Sequence, residues 1–324
     1  MALIGCGQIG WKYDDLFLVP GNFSHAAAVA ANPGFCLAAV CDNDPESAKE
    51  CARRYRVAGQ FSSTEEMLVR GPFDVVVIAT PPASHLAILK TVLAVSVQPK
   101  VIVLEKPLAI DLQQAREMVE LGEISHCKIV LNYSRRFSPE IASGLAKFVD
   151  KECRFSGLYS GGLISNGTHW FDMLQMAGFR AREVRAIPPV VLLPGDDFQV
   201  DVILRSESGS SAILQMLPAG FPSVFEFTAM SRNSKLNITD LGLTLEDSSC
   251  APSLIVKGAT NYLRGVRRVG DVTGNLDRLY ENVAGIIQGS AHPVSNTEHG
   301  LHPLEIAFAA KESAERDGVP INLP

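Results

Sequence analysis

Glycine stands at positions 5, 7 and 10, directly behind the short apolar segment Ala2-Leu3-Ile4. A G-x-G-x-x-G run after a strand allows a tight turn at its first glycine and close backbone approach to a phosphate at its second. The third lets helix and strand pack closely. The pyrophosphate of a dinucleotide then rests on amide N–H groups at a helix N-terminus. Gly5, Gly7, Gln8, Ile9 and Gly10 are therefore expected to hold a dinucleotide. In this motif an acidic residue about 20 positions on binds the ribose. Asp42 ends the apolar segment 37–41, yet it stands 32 residues beyond Gly10. Residues 11–24, which include Pro20-Gly21-Asn22, read as a loop inserted before or within the first helix. Asp42 keeps a second reading, as a turn residue ahead of the next helix.

The sequence around this turn alternates strands with helices. Asp44-Pro45-Glu46 opens a helix with a capping Asp, a Pro at the first position and an acid in the first turn. Ser63-Thr64-Glu65-Glu66 reads as a capping box, with Gly71 as the stop. Val75-Val76-Val77-Ile78-Ala79 and Val101-Ile102-Val103-Leu104 are runs expected of strands buried on both faces of a parallel sheet. Asp111 caps a helix whose apolar stripe holds Leu112, Ala115, Met118 and Val119, and Ile129-Val130-Leu131 is a further strand. This pattern predicts an N-terminal Rossmann domain with a doubly wound parallel sheet. Beyond residue 130 the strands lengthen and alternate, as in 199–204 and 211–217, joined by Ser206-Glu207-Ser208-Gly209-Ser210. A mostly antiparallel sheet is expected there. Helices are expected at 168–176 and 304–315, and the weakly patterned stretch 247–271 reads as a mobile loop. With 324 residues, 47% of them apolar, the chain is expected to form two domains, 1–130 and 131–324.

Composition excludes some functions. A net charge of −6 without a Lys/Arg run disfavours nucleic acid and anionic membrane as partners. No apolar stretch approaches the roughly 18 residues of a membrane span. No basic, apolar leader is read at the start. The seven cysteines show no C-x-x-C pair and no zinc-like spacing. Reduced thiols, a cytoplasmic location and no metal site are expected.

Three further segments follow in order behind the glycine turn. They are Ala79-Thr80-Pro81-Pro82-Ala83-Ser84-His85, Glu105-Lys106-Pro107, and Gly162-Leu163-Ile164-Ser165-Asn166-Gly167-Thr168-His169-Trp170-Phe171-Asp172. With Asn132-Tyr133-Ser134-Arg135-Arg136-Phe137 they resemble the glucose-fructose oxidoreductase, inositol dehydrogenase and MocA family (Gfo/Idh/MocA). The resemblance implies that an α/β domain with a large open-faced sheet follows the Rossmann domain, for substrate binding and oligomerisation. It also implies a nicotinamide cofactor, a sugar-like substrate and a homo-oligomer, dimer or tetramer. Asp42 points to NAD, with NADP left open. By the same resemblance Thr80, Pro81 and His85 line the dinucleotide groove, and Glu105 and Asn132 lie near its nicotinamide end. Lys106 approaches the nicotinamide ribose and the substrate oxygen, and His169 is the general acid/base.

The chemistry suits these residue types. An alcohol that loses hydride becomes a carbonyl and releases a proton. A histidine titrates near the working pH, and a lysine beside the oxygen supplies positive charge to a developing alkoxide. Blander readings stand beside these: a strand-end lysine that reaches water, and a histidine packed in a core. Asp172 shares a helix face with His169, and either orients the imidazole or stabilises the helix start. Many relatives carry an aspartate four residues before the histidine, where this chain has Ser165 followed by Asn166. Ser165, Asn166, His169 and Asp172 are the expected substrate-binding residues. The expected activity is hydride transfer between the cofactor and a hydroxyl or carbonyl of a sugar, polyol or nucleotide-sugar. The alternatives are glycoside cleavage through transient oxidation, and dinucleotide sensing without turnover.

Overall fold

The computed structural model describes residues 1–263, 267–269 and 274–324. The chain divides into two compact units, Met1–Phe137 with Thr273–Leu301, and Ser138–Val272 with His302–Pro324.

In the first unit, strands β1 (Ala2–Ile4), β2 (Ala39–Cys41), β3 (Gly59–Phe61), β4 (Val75–Ile78), β5 (Val101–Leu104) and β6 (Lys128–Leu131) form one parallel sheet. Its order, β3-β2-β1-β4-β5-β6, is that of a Rossmann fold, with the switch point between β1 and β4. Every residue of β4 and β5 is buried, as their Val-rich sequences anticipate. The helices of this part are α1 (His25–Ala31), α2 (Pro45–Tyr55), α3 (Thr64–Val69), α4 (His85–Leu93) and α5 (Leu112–Ile124). Asp44, Ser63 and Asp111 cap α2, α3 and α5, each accepting a backbone N–H of the first turn.

The inserted loop has a definite registration. His25 N–H donates to the Ile9 carbonyl at 3.0 Å, and Ala26 N–H to the Gly10 carbonyl at 2.9 Å. In an unbroken helix such bonds join residues four apart. Here they join residues 16 apart, so 12 residues are looped out between the glycine turn and α1. Without them Asp42 would stand 20 residues beyond Gly10 instead of 32, the spacing the motif ordinarily shows. The loop is tied to itself. The Asp14 carboxylate accepts the Phe23 N–H at 2.8 Å and the Ser24 hydroxyl, and the rings of Phe17 and Phe23 stack with centroids 3.8 Å apart.

The second unit opens with α6 (Pro139–Leu145), then β7 (Arg154–Tyr159) and α7 (Thr168–Met176). There follow β8 (Glu183–Leu192), β9 (Phe198–Arg205), β10 (Ser211–Met216), β11 (Phe225–Met230), β12 (Ser234–Thr239), β13 (Thr244–Pro252), β14 (Thr260–Leu263) and β15 (Arg267–Val269). The chain then runs through α8 (Asn275–Ile287), α9 (Thr297–Glu315) and β16 (Ile321–Asn322). The strands form one sheet in the order β14-β13-β12-β11-β7-β10-β9-β8-β16, with β15 paired to β13. It is antiparallel except where β7 and β10 run parallel. Alternate residues such as Phe155, Val202, Leu214 and Phe227 share a core with Ile141 of α6, Trp170 and Phe171 of α7, and Ile306 of α9. Intervening residues such as Ile213 are exposed, so one face of the sheet is open.

Two expectations are revised. Helix α8 packs Leu276, Leu279, Tyr280 and Val283 into the core of the first unit, so that unit is built from two chain segments and a single cut at 130 does not describe it. The stretch 247–263, read as part of a mobile loop, pairs β13 with β12 and β14. Its strands are largely polar and half-exposed, which hid the alternation. Residues 264–266 and 270–271 of that stretch lie outside the described residues.

Candidate active site

The three glycines of the turn have different surroundings. Gly5 has a φ of +98°, and a Cβ there would lie 2.5 Å from the Ala79 carbonyl oxygen. A Cβ on Gly10 would lie 2.2 Å from the Gly5 oxygen, whereas one on Gly7 would meet nothing within 4 Å. Gly5 and Gly10 thus shape the turn, and Gly7 leaves open space in front of it. Asp42 braces the same turn: its Oδ2 accepts the Cys6 N–H at 2.7 Å and its Oδ1 the Asp44 N–H at 2.9 Å. Asp42 follows β2 beside the turn and steadies the entry to α2, which is the turn role the sequence also allowed. A cavity of about 400 Å³ is lined by Gly5, Gly7, Asp42, Thr80, Pro81 and Ser84, among others. Gln8 is exposed at the turn, while the Ile9 side chain packs against the core, which leaves Ile9 only its backbone to offer. His85 is not on the groove surface as expected. It is fully buried, with Nε2 2.9 Å from the Thr80 carbonyl and Nδ1 3.3 Å from that of Leu108, and so supports the groove wall from behind. Burial lowers its pKa below the ordinary histidine value.

At the carboxyl end of β5, buried Glu105 precedes half-buried Lys106. Glu105 Oε1 lies 2.9 Å from His25 Nε2 and accepts Asn132 Nδ2 at 2.5 Å, and Oε2 accepts the Lys106 N–H at 3.2 Å. His25 Nδ1 lies 2.8 Å from the Tyr280 hydroxyl. Burial alone would raise the Glu105 pKa. The hydrogen bond from His25 and the charge interaction with it, then the nearby Lys106 charge and the bond from Asn132, outweigh it and lower the pKa below the usual carboxylate range. The other amide atom of Asn132, Oδ1, is buried without a hydrogen-bond partner among the described residues.

In the second unit, His169 lies in the first turn of α7 and is 9% exposed. The next residue, Trp170, fixes this helix to the sheet. Its Nε1 donates to the Glu226 carbonyl at 3.0 Å, and its ring sits where a Cβ on Gly157 would lie, 2.2 Å from Nε1. Ahead of α7 the segment Leu163–Gly167 forms a π-helical turn held by Asp197. Asp197 Oδ1 accepts the Ile164 N–H at 2.9 Å, and Oδ2 the Ser165 N–H at 3.0 Å. Ser165 and Asn166 are exposed, although Asn166 Nδ2 is directed to the Ser160 carbonyl at 2.8 Å. Asp172 is 1% exposed, so the direct substrate contact expected of it does not match its burial; the internal roles remain.

Residues 1–133 match the Gfo/Idh/MocA family, described as an oxidoreductase family with an NAD-binding Rossmann fold. The chain is 26% identical over 237 residues to inositol 2-dehydrogenase of Rhizobium meliloti, across 66% of this chain and 67% of that protein. The fold of this chain matches solved structures over nearly the full length. Levoglucosan dehydrogenase in complex with NADH aligns at TM-score 0.77 and 18% identity, covering 100% of this chain and 98% of that one. UDP-N-acetylglucosamine 3-dehydrogenase of Acidithiobacillus ferrooxidans aligns at TM-score 0.76 and 19% identity, covering 98% and 97%. Residues 1–133 thus match an NAD-binding oxidoreductase family, and the residues of this part fit the cofactor. Gly7 leaves the space a phosphate needs, and Asn132 Oδ1 is a buried acceptor without a donor among the described residues. Among the described residues no cluster of three or more His, Cys, Asp or Glu could hold a metal ion. No described helix is long and apolar enough to cross a membrane.

Sequence reasoning missed His25, Tyr280, Asp197 and Gly157. His25 and Tyr280 lie 255 residues apart and carry no motif. The available signal was weak: Leu276, Leu279, Tyr280 and Val283 recur at helical spacing, which marks a buried face but not its partner.

Proposed function

We propose that the chain is an NAD-dependent dehydrogenase that interconverts a secondary hydroxyl and a carbonyl on a sugar or polyol, free or nucleotide-linked. The observation that carries this reading is Lys106, held at the carboxyl end of β5 by its own N–H on the buried Glu105 carboxylate. Ligands of open α/β sheets sit beyond the carboxyl ends of the strands. The nicotinamide, when bound, accepts or returns the hydride. Lys106 offers positive charge to the substrate oxygen as it becomes an alkoxide. His169 takes and returns the hydroxyl proton. Ser165 offers a neutral hydroxyl to a substrate where many relatives place a carboxylate, which suits a nucleotide-linked or amino-substituted sugar better than a plain polyol. The relatives named for inositol, levoglucosan and UDP-N-acetylglucosamine support this substrate class. Asp42 accepts adenosine-ribose hydroxyls and repels a 2′-phosphate, so NAD is preferred over NADP. The open face of the second sheet is the surface for a dimer or tetramer, and the enzyme works in the cytoplasm.

A turnover panel of polyols, free sugars and nucleotide sugars with both cofactors tests this reading. Lys106→Ala and His169→Ala should each lose on the order of 10²–10⁴ in kcat, with NAD affinity largely kept. Full turnover in folded Lys106→Ala would refute the catalytic assignment, and a lower Kd for NADP would refute the role of Asp42.

A further inference from the structure

We infer that Tyr280 and His25 are positioning residues that hold the Glu105 carboxylate in place behind Lys106. The inference rests on the catalytic reading of Lys106 given above. Three remote segments supply the chain: Tyr280 from α8, His25 from the first turn of α1, and Glu105 from the end of β5. All three are buried, with His25 at 1% exposure.

Proton counting assigns the hydrogens. Burial, and then the charge of Glu105, raises the Tyr280 pKa well above the ordinary phenol value, so the hydroxyl keeps its proton. Among the described residues its partner is His25 Nδ1, at 2.8 Å. A phenol that donates there requires Nδ1 to be unprotonated. The ring hydrogen is then on Nε2, 2.9 Å from Glu105 Oε1. Each hydrogen of the chain has an acceptor in this arrangement. With an imidazolium, the phenol hydrogen would have none among the described residues.

His25 orients Glu105 through Nε2, 2.9 Å from Oε1. Asn132 Nδ2 donates to the same carboxylate oxygen. His85 also lies within the field of Glu105, and its nitrogens are directed to the Thr80 and Leu108 carbonyls. Among the charges that act on the carboxylate is that of the Lys106 ammonium, one residue along. Tyr280 thus selects the tautomer of His25, His25 fixes Glu105, and Glu105 sets a negative charge beside Lys106, where a developing alkoxide needs the ammonium.

The test uses the full-length protein without cofactor. Lys106 is acylated with acetic anhydride over a range of pH and followed by peptide mass spectrometry; NAD affinity is measured by calorimetry, and kcat on the best substrate of the panel. His25→Leu should move the labelling midpoint of Lys106 to lower pH, because the opposing charge is weakened, and Glu105→Gln should move it the same way. In His25→Leu, kcat should fall on the order of 10- to 100-fold while NAD Kd stays within about threefold. His25→Gln, whose amide can donate to Glu105, should restore most of both, and Tyr280→Phe should give a smaller shift in the same direction. A wild-type midpoint in folded His25→Leu overturns the inference. If that variant does not fold, unshifted labelling in Glu105→Gln and Tyr280→Phe overturns it. Full turnover in Lys106→Ala would remove the catalytic reading alone, since the labelling midpoint still judges the chain.

Discussion

Replacing Gly7 and Gly10 by alanine, one at a time, should separate cofactor binding from folding within a single six-residue turn. A Cβ on Gly10 would lie 2.2 Å from the Gly5 oxygen, where ordinary contact begins at 3.4 Å, so the backbone must open by more than an ångström. Overpacking of this kind costs about 1–3 kcal/mol. At about 2–4 °C per kcal/mol for a domain of this size, Gly10→Ala should melt about 2–12 °C below wild type. Gly7 is different, because a Cβ there meets nothing within 4 Å. Its alanine variant should match wild-type stability within about 0.5 kcal/mol. The added methyl instead stands where a phosphate approaches the amides, and a tenfold weaker Kd, about 1.4 kcal/mol, is a conservative expectation. At 100 times the wild-type Kd, NAD should stabilise wild type by about 2.7 kcal/mol. The same concentration is then only ten times the Kd of Gly7→Ala and should stabilise it by about 1.4 kcal/mol, so the NAD-induced rise in Tm should roughly halve. Scanning calorimetry with and without NAD reads both numbers. Undiminished NAD stabilisation in Gly7→Ala, or a wild-type Tm in Gly10→Ala, would refute this division of labour.

Acid should destabilise the first unit through His299. At the start of α9, Asn296 Oδ1 accepts the His299 N–H at 3.2 Å, and His299 Nδ1 accepts the Asn296 N–H at 3.1 Å. Burial, then the charge of Arg136, lowers the His299 pKa from 6.5 to about 4. The unfolded chain therefore binds this proton more tightly. Its contribution is fully present above pH 6.5 and is lost as pH falls toward 4, with His85 acting in the same direction. His299→Gln should keep the reciprocal cap and flatten the loss of stability between those pH values, read as urea midpoints at pH 7 and 5. Trp170→Phe strands the buried Glu226 carbonyl and should cost about 1–3 kcal/mol. Its kcat should fall while NAD affinity holds, and unchanged kcat would show that Trp170 does not place His169.

The fold was largely legible because its signals are local. Val75–Ile78 and Val101–Leu104 announce buried parallel strands, Asp44, Ser63 and Asp111 announce helix starts, and Thr168–Met176 has the bounds read from its sequence. The same locality explains the misses. Nothing near Tyr280 states that α8 belongs with a sheet ending at residue 131, because that is decided by complementary surfaces formed only after folding. The position of His85 behind the groove, not on it, depends on the Thr80 and Leu108 carbonyls, and no motif encodes that direction. Glu105 and Lys106 were legible as a pair, but the chain behind them was not, since His25 read alone is merely a residue after a capping serine.

The detour between Gly10 and His25 leaves and rejoins the helix on adjacent rungs of one hydrogen-bond ladder. An excursion with that property is a cassette. It can be shortened, lengthened or exchanged while the glycine turn, α1 and Asp42 hold their places, and what such a change gives up is the bond from Asn22 Nδ2 to Asp277 Oδ1 of α8 at 2.8 Å. Removing 12 residues there should yield a chain whose Rossmann core is unaltered and whose surface has lost Leu16 and Leu18, exposed at 64% and 103%. It also follows that residue counts between a phosphate turn and its ribose carboxylate mislead as a ruler for motif searches. The invariant is the number of helical rungs between them, and a search that tolerates one such detour will find relatives that a fixed spacing discards.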